Sequence, residues 1–102
     1  MIFTIALILL SWVDAVNPPA ATYHVYRANG QCSKMLVFSR LTAVPVAQKT
    51  YSDSPSPGEW CYQVTAVVDG VESEPSAPLT IKTKPAAPTG LTATGAAAAT
   101  PP

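Results

Sequence analysis

Residues 58–76, GEWCYQVTAVVDGVESEPS, constrain this chain more than any other stretch. Trp60, Tyr62, Val64 and Ala66 alternate with Cys61, Gln63, Thr65 and Val67. Successive side chains of a strand point to opposite faces, so the alternation describes a strand with one buried face. Asp69-Gly70 follows at once. Both residue types tolerate positive φ, which a tight hairpin requires.

The rest of the chain reads as five shorter strands and no helix, near 4–13, 21–28, 35–41, 49–52 and 79–84. Tyr23 and Val25 alternate with His24 and Tyr26, and Leu79 and Ile81 with Thr80 and Lys82. Leu36, Phe38 and Arg40 alternate with Val37 and Ser39. Asn17-Pro18-Pro19, Asn29-Gly30 and the Pro-rich run ending at Gly58 punctuate these runs. Eleven prolines suit an all-β chain with many connections. Short strands between such turn signals predict a β-sandwich.

At 102 residues the chain has room for one domain. Charged residues are 12% of it and the net charge is zero, so it carries no electrostatic footprint for nucleic acid or an anionic membrane. The acids Asp69, Glu72 and Glu74 gather around the hairpin and read as a solvated turn, since calcium wants more oxygen ligands. His24 is the single histidine, and no metal-ligand spacing, nucleophile elbow or phosphate-cradling loop is present. Asp53 and Glu59 flank a loop and read as solvated strand ends rather than paired catalytic carboxylates. Tyr26 and Trp60 are the candidates for a sugar-stacking platform, but Trp60 aligns with the core positions. The reading is non-enzymatic, without cofactor or metal.

Three readings compete for the uncharged run MIFTIALILLSWV. A membrane-spanning helix needs about 20 apolar residues, and Asp14 and Pro18 stop this run short. A signal peptide could end at Val13-Asp14-Ala15, although no Lys or Arg precedes the apolar run. A buried strand would put Ile8, Leu10 and Trp12 on one face, and this reading is preferred. The outward residues Leu7 and Leu9 are apolar too, which counts against it.

Cys61 lies at an alternate position, off the Trp60/Tyr62/Val64 face, and Cys32 lies in a loop after another strand. A disulfide between them would close a loop of about 30 residues and stabilise by about 3–4 kcal/mol in the chain-entropy model. It would also imply an oxidising compartment, hence an extracellular, cell-surface or virion-surface location. The alternative is two free thiols.

Leu10-Ser-Trp12, Tyr23-His-Val-Tyr-Arg27, Thr50-Tyr-Ser-Asp53 and residues 58–76 together resemble a fibronectin type III domain, over roughly residues 8–84. The resemblance implies an immunoglobulin-like β-sandwich at 1–84, followed by a Pro/Ala/Thr-rich linker at 85–102. It implies a core of Trp12, Tyr23, Val25, Trp60, Tyr62 and Val64, with Trp12 at the centre. Two features depart from the family. Trp60 stands where tyrosine is usual at a strand corner, so that corner is expected to be built differently. No Arg-Gly-Asp is present, so integrin binding does not carry over.

The chain opens directly in what resembles the family's second strand, and the first strand is missing at the N-terminus. Pro88-Thr-Gly-Leu-Thr-Ala-Thr94 resembles that strand instead. The chain is then either a fragment of a tandem array or a subunit whose Thr89, Leu91 and Ala93 act as a donor strand, on itself or on a neighbouring copy. Residues 85–88 reach only about 14 Å, which strains the first of these placements. By the resemblance, the expected role is a spacer or adhesion module whose partners are other domains of the same protein or other copies of itself. The rivals are a self-assembling filament or virion surface subunit and a carbohydrate-binding accessory of a secreted hydrolase.

Overall fold

The computed structural model describes residues 7–85 and 87–95. Within them the chain forms seven strands and no helix. These are β1 (Ile8–Ser11), β2 (Thr22–Asn29), β3 (Ser39–Arg40), β4 (Thr50–Asp53), β5 (Gly58–Val68), β6 (Val71–Glu72) and β7 (Leu79–Thr83). β1 and β4 form one antiparallel sheet. The other sheet runs β3-β2-β5-β6, with β7 also on β5. Residues 4–6 of the expected first strand lie outside the described residues.

β5 is the spine, as the alternation requires. It pairs with β2 along eight residues, from Thr22↔Val67 to Asn29↔Trp60. Directly opposed residues share a face. Tyr23, Val25 and Arg27 therefore point the same way as Trp60, Tyr62 and Val64, while His24, Tyr26 and Ala28 join Cys61, Gln63 and Thr65 on the other side. The first set meets Ile8 and Leu10 of β1, and Ile8, Leu10, Val25 and Tyr62 form the buried centre. The fold is an all-β sandwich.

The hairpin closes on two residues: Val68 pairs with Val71, with Asp69 at φ 50° and Gly70 at φ 77°. Both φ values are positive, the primed-turn geometry that matches the twist of the strands. Between β6 and β7 the strand is interrupted at Glu74-Pro75, where proline has no N–H to give. Serine hydroxyls take over: Ser73 and Ser76 Oγ accept from the Ala66 and Val64 amides at 2.9 and 3.0 Å.

Two expectations are corrected. The third strand, expected over 35–41, shrinks to Ser39–Arg40. After β2 the chain crosses the outer face to Cys61 and β7, where the Cys32 amide donates to Thr80 Oγ1 at 3.1 Å. β3 lies on the opposite edge, beside β2, so residues 33–38 are spent recrossing the sheet. Trp12 is not the centre of the core. β1 ends at Ser11, and Trp12 packs half-buried at the margin, edge-on to Tyr23 at 5.4 Å. Val25 and Tyr62, 0% and 2% exposed, hold the centre.

Candidate functional site

Most of the chain's polar chemistry lies in three networks, each tying one element to another. The first joins the two sheets at one end of the sandwich. Arg27 Nη1 of β2 donates to both carboxylate oxygens of Asp53 on β4, at 3.1 and 2.8 Å. Tyr62 of β5 donates to the same carboxylate at 2.6 Å. Burial, reinforced by the Asp53 hydrogen bond, pushes the Tyr62 phenol well above its usual range. The Arg27 guanidinium lies 4.6 Å over the Trp60 ring. The Trp60 indole N–H donates to Ser56 O, four residues upstream, at 2.8 Å. The turn before β5 is thus closed by an indole donor. Asp53 serves as the shared acceptor of this junction and is not a free carboxylate facing Glu59.

The second network lies on the outer face. Glu72 accepts from the Tyr26 hydroxyl and, at 2.7 Å, from Thr65 Oγ1. These two donors hold its carboxyl below the usual range, and the Glu72 bond raises the Tyr26 phenol. A shallow cavity of about 270 Å³ opens beside them, walled by Phe38, Gln63 and Pro75. Glu72, expected as part of a solvated turn, is exposed, and these two bonds add to the backbone pairing of β6 with β5. Nearby, His24 is 6% exposed, with Nδ1 2.6 Å from Thr42 Oγ1.

The third network orders the loop after β1. Asp14 Oδ1 accepts from the amides of Val16 and Asn17, and Oδ2 from Asn17 Nδ2 and the Tyr23 hydroxyl, at 2.8–3.3 Å. The Asn17 bonds contribute most to holding the Asp14 carboxyl at about 2, from an ordinary 3.8.

Cys32 and Cys61 are bonded, with a Cα separation of 5.1 Å. Cys61, expected on the face away from Trp60, Tyr62 and Val64, lies there and is fully buried. The bridged loop itself covers it and Ala28, making a small second layer outside the sheet. Tyr23, Val25 and Tyr62 are buried, while Trp12, Trp60 and Val64 are half-buried against them. Tyr26 and Trp60 project from opposite faces of the sheet, so one sugar cannot stack on both. Thr89, Leu91 and Ala93 lie in an exposed stretch without strand pairing, and Leu91 is fully exposed.

An apolar groove of about 250 Å³ opens at the seam of the two sheets, lined by Leu10, Trp12, Tyr62, Val64 and Leu79. Among the described residues, no three His, Cys, Asp or Glu side chains converge as a metal site. Nor is any described helix long and apolar enough to cross a membrane. The Arg27–Asp53–Tyr62 junction escaped the sequence reading, although a signal was present. Arg27 shares its strand parity with Tyr23 and Val25, and an inward arginine in so weakly charged a chain needs an acid. No protein-family model matches the chain, and no curated protein matches it significantly.

Proposed function

We propose that this chain is a non-catalytic, fibronectin type III-like module of an extracellular or surface protein, acting as a spacer or protein-interaction domain. The disulfide carries this reading. A bridge that pins a crossing loop over a strand, with one sulfur fully buried, belongs to an oxidising compartment. The use of Arg27, Asp53, Tyr62, Tyr26, Glu72 and Asp14 in junctions between elements supports a structural role. Such a module presents surface, and its polar groups brace the sandwich.

The test combines location and redox state. Intact cells that make the protein naturally are treated with a membrane-impermeant protease, and their thiols are then blocked with a mass-tagged maleimide. The expected result is cleavage from outside and no tag on Cys32 or Cys61. A chain protected from the protease and tagged on both thiols would overturn the proposal.

A further inference from the structure

At the seam between the sheets an apolar groove lies beside β1. β1 pairs on one side only, with β4, and among the described residues its other edge has no partner. Natural edge strands are guarded by lysine, proline, inward charges or bulges. Residues 7–13 carry no charge and no proline, and Leu7 and Leu9 are each 68% exposed. Directly beside this edge lies the apolar groove walled by Leu10, Trp12, Tyr62, Val64 and Leu79. The edge offers backbone hydrogen bonds and the groove offers a seat for a large apolar side chain.

The same molecule carries a segment that fits. Residues 87–95 are exposed and pair with nothing among the described residues. Leu91 is their one large apolar side chain, fully exposed, with Thr89 and Ala93 two positions to either side. Laid extended, 89, 91 and 93 share one face. Thr92 and Thr94 favour extended backbone, and Gly90, now at φ 73°, can straighten without a Cβ penalty. Neither surface carries a charge that would repel the other. Pro85 and Pro88 flank the segment on its N-terminal side, and proline favours extended backbone.

We propose that the β1 edge and its groove bind residues 89–94 of a second copy of this chain, with Leu91 seated between Trp12 and Leu79. This is strand addition from one molecule to the next. Donor and acceptor are different surfaces, so the contact is heterologous and each new copy offers a fresh edge. The inference stands apart from the proposed location, because it rests on the edge, the groove and the segment alone.

The test uses the full chain with Leu91→Glu, which spoils the donor, and Leu79→Glu, which spoils the groove. Both sites are exposed, and glutamate at both introduces no new ion pair between them. Sedimentation across a concentration series should show a ladder of multimers for the wild type. Each variant should self-associate more than tenfold more weakly while keeping the wild-type melting transition. Mixed in equal amounts, the variants should form dimers that stop there, because only one groove and one donor remain intact. A wild type that stays monomeric, a Leu91→Glu chain that assembles like the wild type, or a mixture that stays monomeric would each overturn the proposal.

Discussion

Asp53 accepts from a guanidinium and from a buried phenol, so the two donors stand or fall with one carboxylate. Asp53→Ala should cost about 1–3 kcal/mol, the penalty for stranding buried donors. The figure stays in that range because the Arg27 side chain is 27% exposed and water repays part of the loss. Urea unfolding measures it, and a variant with the wild-type midpoint would show that the junction contributes nothing. Asp14 makes a pH-dependent contribution whose sign is fixed by its lowered carboxyl. The folded state protonates this group near 2 and the unfolded chain near 3.8, so its stabilisation is present above 3.8 and lost as pH falls through about 2. Melting temperature should therefore drop between those values, and the drop should shrink in Asp14→Asn. An equal drop in both proteins would assign it elsewhere. Trp12→Ala should cost about 2 kcal/mol, against about 3–5 for Tyr62→Ala, because the indole packs at the margin. A Trp12 cost equal to that of Tyr62 would contradict this.

Legibility in the sequence followed how local the determining physics is. β2, β4, β5 and β7 and the Asp69-Gly70 hairpin are set by alternation and turn chemistry within a few residues, and their positions are readable. β3 is not, because a cross-link to a residue 29 positions away diverts its chain across the sheet. Trp12 shares the parity of Ile8 and Leu10, so sequence places it in the centre. It packs edge-on to Tyr23 at the margin instead, although its amide still donates to Lys49 O at 3.0 Å. Which residue of that face becomes central depends on how the other sheet docks. The burial of Cys61 is also non-local, since the loop that covers it lies about thirty residues upstream. The loop has its own constraint at Gly30, where φ is 127° and an added Cβ would meet Leu36 Cδ2 at 2.9 Å. Cleaving the disulfide should lower stability by about 3–4 kcal/mol. The comparison is the denaturant midpoint of the oxidised chain against that of Cys32→Ser/Cys61→Ser. Identical midpoints would mean that the packed loop holds itself down without the bond.

At the scale of the molecule, β1 enters the sandwich where Ile8 faces Asp53, and β7 leaves it where Thr83 faces Gly58. The loop 54–57 connects those two partners, so both sites of entry and exit lie at one end. A pull on Thr83 meets the β5–β7 ladder one pair at a time, and that ladder opens like a zip. The Cys32–Cys61 bond then decides how far the chain can pay out. It removes 29 residue steps from the path of the force, roughly 100 Å at full extension. Reduction would restore that slack, so a single molecule stretched in an optical trap should lengthen by about that much more when its sulfurs are parted. The bond acts as a tether that sets the yield length of the module, and any neighbour linked through it would feel a shorter, stiffer connection while the bond is intact.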